Sequence, residues 1–344
     1  MGLPGKIKLV WCCFCLTAIV SLLVFGCKSS SQAIQPFAST CTADDESATK
    51  ERGDVNQSAL QFVQNAIGPD PSTAYVSFTA EAKENVPSEK FVAAFQNEIK
   101  PMGPFKDLRV AHTYIAKVTG GGQERVVCGN PSRPEGWVAV NVKPGPAEAH
   151  VIVEGQTVNN TAVFVVWLIP EQGNWHVRYV YHATSEMVGK SAGDLQKLAE
   201  MESQKQHDFN AFILYVAARQ LADRGPFFQL GIQSEIENGI GKVKRPDILQ
   251  GQPPSIWKFG KSTFKVLNVG PIGMSGNIYV QVDHEIEPWA ADKEADNKNR
   301  DFIAAFASAY PEYRDAFAGL VVRAHERGGA RVFGTVDENQ KQSK

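Results

Sequence analysis

Val163-Phe164-Val165-Val166-Trp167-Leu168-Ile169, followed by Pro170-Glu171-Gln172-Gly173-Asn174 and then Trp175-His176-Val177-Arg178-Tyr179, reads as two strands and the turn between them. β-Branched and aromatic residues dominate both arms, and the Pro, Gly and Asn between them are turn formers. Upstream, the same composition predicts strands at Leu108 to Val118, Trp137 to Val142 and Ala149 to Val153, with the hairpin arms at Ala162 to Ile169 and Trp175 to His182. Two amphipathic helices precede them. Ala59, Leu60, Phe62, Val63, Ala66 and Ile67 recur at three- and four-residue spacing within Asn56 to Ile67. Phe91, Val92, Phe95 and Ile99 share one face of Ser88 to Ile99, which starts after Pro87. Helices followed by a meandering antiparallel sheet predict an α+β fold.

A strand that closes on an acidic-glycine turn and resumes with Trp-x-Val, as Trp175-His176-Val177 does, resembles the closing hairpin of the nuclear-transport-factor-2-like, or cystatin-like, cone fold. The resemblance covers residues 55–189 and implies a sheet curled around the helices with an apolar pocket between them. Under it, Val163, Val165, Trp167, Val177 and Tyr179 face the helices and floor that pocket. His112 with Tyr114, and Arg178 with His182, share strand faces that converge there. Members of this fold use the pocket for catalysis, ligand capture or dimer contacts, so fold alone does not fix function.

The plan recurs over residues 207–338, after a linking helix at 190–206. His207 to Arg224 carries a stripe of Phe209, Phe212, Ile213, Val216 and Ala217, and strands are predicted at Thr263 to Val269, Asn277 to Ile286, Leu320 to Glu326 and Ala330 to Val336. Gly276 to Val282 parallels Gly136 to Val142, and Glu326-Arg327-Gly328-Gly329 parallels Glu171-Gln172-Gly173-Asn174. Two tandem cone-like domains are expected. The second diverges, with Ala330 in place of the turn-following tryptophan and a charged segment, Asp292 to Arg300, leading into a helix at Asp301 to Ala309. Residues 339–344 form a polar tail.

At the other end of the chain, Lys6 and Lys8 precede an apolar run from Leu9 to Phe25 that closes on Val24-Phe25-Gly26-Cys27. Basic, apolar and small residues in that order make an export signal over residues 1–26. A cysteine directly after the small residue resembles the leader of bacterial lipoproteins. That resemblance implies a lipid on Cys27, a polar tether over residues 27–54 and, with Lys28 rather than Asp next, the periplasmic face of the outer membrane. The alternative is that residues 7–25 stay in place as a single membrane span. Removing the leader leaves 33 basic against 37 acidic side chains, since only Lys6 and Lys8 are lost. This near-neutral balance points away from nucleic acid as a partner. Beyond Cys27 only Cys41 and Cys128 remain, and an oxidising space predicts a disulfide between them; the alternative is two unpaired thiols with Cys128 buried.

No Cys-x-x-Cys survives in the mature chain, and Gly-x-Ser-x-Gly, phosphate-loop and His-Glu-x-x-His motifs are absent, so no cofactor is expected. Asp283 and Glu285 are weak metal candidates on one strand face, with His284 pointing the other way. The expectation is a lipid-anchored envelope protein that binds a hydrophobic ligand or a protein partner without catalysis. Two alternatives stand beside it: an envelope enzyme in which His112 or His182 meets a carboxylate, and a structural protein with filled cones.

Overall fold

The computed structural model describes residues 38–43, 49–120, 124–158, 160–251 and 254–339. The export signal, Cys27 and the start of the tether lie outside them. Thr49 caps α1 (Lys50–Ala66) by accepting the Arg52 N–H at 3.2 Å, and α1 buries Val55, Ala59, Phe62, Val63 and Ala66 along one face. Short α2 (Ser72–Tyr75) and α3 (Ala80–Asn85) lead into α4 (Ser88–Glu98), whose Phe91 and Phe95 are buried one turn apart. The strands of this half are β1 (Ala38–Ala43), β2 (Lys106–Thr119), β3 (Glu124–Gly129), β4 (Trp137–Val142), β5 (Glu148–Gln156), β6 (Thr161–Glu171) and β7 (Asn174–Thr184). Five of them form an antiparallel sheet in the order β1-β2-β5-β6-β7. Gln172 and Gly173 at the β6–β7 turn have φ of 54° and 83°, the left-handed pair whose twist suits a two-residue hairpin loop.

The alternation of β6 divides it between two cores. Phe164, Val166 and Leu168 face α1, α2 and α4 together with Val151, Val153 and Val177. Val163 and Val165 face the other way, with Tyr114, Ala116, Val118 and Ile152, onto a second sheet. That sheet is three-stranded, in the order β10-β4-β3, and recruits β10 (Phe228–Leu230) from the second half of the chain. The expectation that Val163 and Val165 floor a helix-side pocket is therefore corrected: they point into the opposite layer, as a one-residue change of phase requires. Under α1 and α4 the helix side is packed with aromatic rings. Phe62 and Phe78 lie 5.3 Å apart, Phe78 and Phe91 5.1 Å, and Phe95 stacks on Phe164 at 6.3 Å between ring centroids.

The polar tether expected over residues 27–54 is also corrected, because β1 lies within it and α1 begins at Lys50. Polar Ser39, Thr40 and Thr42 earn a place in the fold through backbone pairing with β2 and through one covalent bond. Cys41 on β1 is bonded to Cys128 on β3, with Cα atoms 5.4 Å apart, so the disulfide joins the outer strand of the large sheet to the outer strand of the small one.

After the small hairpin β8 (Glu186–Met187) and β9 (Lys190–Ser191), α5 (Ala192–Gln204) starts from a capping box in which Ser191 and Asp194 exchange hydrogen bonds with each other's backbone. It packs on α6 (Asp208–Ala222), and α7 (Ile232–Lys242) follows β10. The remaining elements are β11 (Ser255–Phe259), β12 (Ser262–Met274), β13 (Asn277–Ile286), α8 (Asp292–Ala309), α9 (Tyr313–Ala316), β14 (Gly319–Glu326) and β15 (Val332–Glu338). These strands form a second five-stranded sheet in sequential order. The β13–β14 pair is parallel, with α8 as the crossover, whereas every pair in the first large sheet is antiparallel. Gly136 to Val142 and Gly276 to Val282, parallel in sequence, accordingly sit at different places: β4 belongs to the small sheet, β13 to the middle of a large one. The charged segment from Asp292 is the first half of α8 rather than a lead-in to it. Mixed helices and largely antiparallel sheets make an α+β protein, and the described residues form one compact unit.

The disulfide closes a sequence separation of 87 residues, and a crosslink of that span restricts the unfolded chain strongly. Cys128→Ser with Cys41→Ser should lower the unfolding free energy by about 2–4 kcal/mol in denaturant titrations. An unchanged midpoint would mean that the Cys41–Cys128 crosslink contributes nothing to stability.

Candidate binding groove

Ser77 to Thr79 run beside β7 for one step only. The Val177 N–H donates to Ser77 O at 2.8 Å and the Thr79 N–H donates to Val177 O at 2.9 Å, a single parallel bridge. Thr79 then caps α3, its hydroxyl accepting the Ala82 N–H at 3.0 Å, and the chain turns away from the sheet. β7 is the outer strand of its sheet, so this departure leaves its edge uncovered from Arg178 onward. The opening is a groove of 480 Å³ between α2, α3 and α4 on one side and Arg178, Tyr179, Val180 and His182 on the other, with Trp167 and Phe227 lining it as well. Tyr75, Phe78, Val86, Phe91 and Phe95 make its walls apolar.

Phe227 arrives from the turn after α6. Gly225 there has φ of 85°, and a Cβ on it would lie 2.7 Å from Tyr181 Cγ, so glycine satisfies both the turn and the close approach. Phe227 then meets Tyr179 edge-on at 4.8 Å and Trp167 at 5.2 Å between centroids.

β7 contains one residue more than β6 at this point. Trp167 is opposite Tyr179 and Leu168 is opposite Val177, which leaves Arg178 as the extra residue of a bulge. Its guanidinium lies 4.9 Å from the centroid of the Trp167 ring, donates to Glu81 at 2.8 Å and approaches Glu148 at 3.8 Å, with the side chain only 11% exposed. Glu148 is 5% exposed and accepts the Trp167 indole N–H at 3.0 Å and the Lys143 backbone N–H at 3.3 Å. Burial nevertheless pushes its carboxyl up to about 7, against the indole hydrogen bond. His150, two residues along β5, stacks on Trp167 at 5.0 Å. Its Nε2 lies 2.9 Å from Asn141 O and so carries the proton, while buried Nδ1 has no partner. Burial pushes this imidazole down to about 4. At the other end of the groove His182 Nε2 is 3.5 Å from Glu98, and burial lowers its affinity for a proton despite that carboxylate.

Of the residues singled out from sequence, Trp167, Arg178, Tyr179 and His182 line this groove. Val177 is in the helix-side core, and Val163, Val165 and Tyr114 are buried between the two sheets. His112 is exposed on β2, its ring 6.3 Å from Tyr114, and does not reach the groove. The sequence reading missed Phe78, Phe91, Phe95, Phe227, Glu81 and Glu98 as groove residues. Tyr75, Phe78, Phe91 and Phe95, carried by α2, α4 and the bridge residue between α2 and α3, were the available signal. In the second half, Asp283 and Glu285 do share a face of β13, but each is already bound. Arg323 Nη2 donates to Asp283 at 2.8 Å, and although burial opposes it, that guanidinium holds the carboxyl below its ordinary range. Lys265 and Arg327 donate to Glu285 at 3.0 and 2.8 Å. Among the described residues no group of three or more His, Cys, Asp or Glu could hold a metal ion.

The groove lining contains no Ser, Thr or Cys, and its hydroxyls are the phenols of Tyr75 and Tyr179. At one end Glu81 lies between Arg178 and Lys143, and at the other Glu98 lies beside His182, whose lowered proton affinity leaves that carboxylate without a full counter-charge. Comparison of the chain with family models, curated proteins and solved structures returns no match.

The two shifted groups act on stability in opposite directions. Glu148 binds its proton more tightly in the folded state, so its contribution is full below 4.5 and is lost as pH rises toward about 7. His150 binds its proton less tightly, so its contribution is full above 6.5 and is lost as pH falls toward about 4. Between 4.5 and 6.5 the slopes offset each other. Glu148→Gln, which keeps an acceptor for Trp167, should expose the histidine slope, so that thermal stability climbs with pH across this window. A profile identical to wild type would mean that Glu148 does not titrate there.

Proposed function

We propose that the protein is a lipid-anchored, non-catalytic binding module of the bacterial cell envelope that captures an apolar ligand or partner segment in the groove along β7. The observation that carries this reading is the groove's apolar wall of Tyr75, Phe78, Val86, Phe91 and Phe95. Its 480 Å³ falls within the roughly 300–1,000 Å³ of small-molecule sites.

Attachment through Cys27 at the periplasmic face of the outer membrane rests on the leader, and the Cys41–Cys128 bond supports an oxidising compartment. Among the described residues no helix is long and apolar enough to cross a membrane. The tandem cone-like arrangement belongs to the same proposal. It is supported by helices that precede most of the sheet in both halves, with β1 ahead of α1 in the first and the α8 crossover in the second as departures.

The envelope-enzyme reading has one observation in its favour, the His182–Glu98 pair at the groove mouth. Binding and catalysis separate on substitution: His182→Ala would abolish turnover in the enzyme reading and leave apolar capture in place.

Ala94 lines the groove from the solvent side of α4, so Ala94→Trp fills the space without entering the core. Titration with the neutral dye Nile red should give a saturable emission change in wild type and binding about tenfold weaker in this variant. Equal affinity would place the dye elsewhere, and no binding in wild type would favour a purely structural protein. Metabolic labelling with a fatty acid should mark wild type and not Cys27→Ser, and the variant should leave the membrane fraction. Retention without label would mean that the apolar leader itself is the anchor.

A further inference from the structure

The four outer strands of the two large sheets are β1, β7, β11 and β15. β1 is tied by its disulfide, β11 is short and carries Lys258, and β7 is paired on its outer side at Val177 alone and beyond it faces α2, α3 and α4 across the groove. β15 has none of these devices. It contains no proline and no lysine, pairs with β14 without a register shift, and exposes Val332 and Val336 at 50% and 44%. A regular edge strand with exposed apolar side chains is a template for another strand.

The hydrogen-bond phase of β15 restricts what can pair with it. The Glu326 N–H donates to Arg331 O at 3.0 Å and the Asn339 N–H donates to Ala318 O at 2.7 Å. By the alternation of an antiparallel ladder, residues 331, 333, 335, 337 and 339 turn their backbone groups toward β14, and 332, 334, 336 and 338 turn theirs outward. A second β15 laid antiparallel across a two-fold axis at Gly334 meets this phase. Val332 then faces the partner's Val336 on one side of the sheet, twice over, and on the other Arg331, which already donates to Trp289 O at 2.6 Å and Asp292 at 3.2 Å, lies opposite the partner's Asp337. Moving the axis to Phe333 sets Val332 against Gly334, and moving it to Thr335 sets Val332 against Glu338. Only the Gly334 register joins apolar to apolar and base to acid.

We propose that β15 is a homodimer interface, in which two copies pair antiparallel about Gly334 and fuse their second large sheets into one continuous sheet. This goes beyond the groove reading and does not depend on it. The partner is a second copy because the strand is complementary to itself in both side-chain type and charge.

Sedimentation equilibrium of the full chain in detergent should show a dimer at micromolar concentration, and Val336→Lys should raise its dissociation constant at least about tenfold, by setting an ammonium against Val332. Circular dichroism verifies that the variant is folded. Register is read by oxidative crosslinking: Val332→Cys mixed with Val336→Cys should form an intermolecular disulfide, and neither variant alone should do so through that position. A monomer at all concentrations, a dimer unaffected by Val336→Lys, or equal crosslinking in the single variants would each overturn the proposal. Pairing of β15 with a different protein in place of its own copy would overturn it as well.

Discussion

One extra residue in β7 governs the layout of the first half. Arg178 has no opposite number in β6, so the alternation of the strand changes phase there. Val177 consequently enters the helix-side core, while Tyr179 turns to the side of Trp167 and meets Phe227. Remove the bulge and either the aromatic end of the groove or the packing against α1 loses its register. The same phase change aims the Arg178 guanidinium at Glu81 and Glu148 over the Trp167 ring, so the charged end of the groove and the apolar core share one cause.

The polar groups behind that end are held by chemistry that resists simple pairing. Glu148 and His150 project from alternate positions of β5 into the layer between the sheets, each beside Trp167. A buried carboxylate keeps its charge only when hydrogen bonds and cations compensate for lost water, and here an indole, a backbone amide and a distant guanidinium compensate in part. Proton affinity near neutrality follows from that partial compensation. The imidazole solves the same problem by remaining neutral, donating to one carbonyl and stacking on the indole. Both groups stiffen the sandwich under Trp167 rather than reach the groove themselves.

Much of the secondary structure was legible because it depends on local pattern. β4, β13 and β14 fall within a residue of where composition places them, and α4 begins at Ser88 as Pro87 dictates. What escaped depends on contacts distant in sequence. β3 and β10 are short, and they form a sheet with β4 only because Phe228 and the Cys41–Cys128 bond hold them against the large sheet. Once that second layer exists, Val163 and Val165 have somewhere apolar to face, and the phase of the hairpin inverts relative to a single curled sheet over helices. The groove was half legible: Trp167, Arg178, Tyr179 and His182 came from the hairpin, whereas its opposite wall came from helices whose excess of phenylalanine was read as core alone. The parallel β13–β14 pair was hidden because a crossover helix and a charged loop look alike until the helix is seen to begin at Asp292.

The central claim, that the β7 edge and the short helices together form a site for an apolar ligand, is tested most directly by mapping amide and indole resonances during titration with a long-chain apolar probe. The account predicts saturable shifts confined to Arg178 through His182, Phe91 through Phe95 and the Trp167 indole N–H. Shifts absent from these positions, or concentrated on the second large sheet, would contradict it.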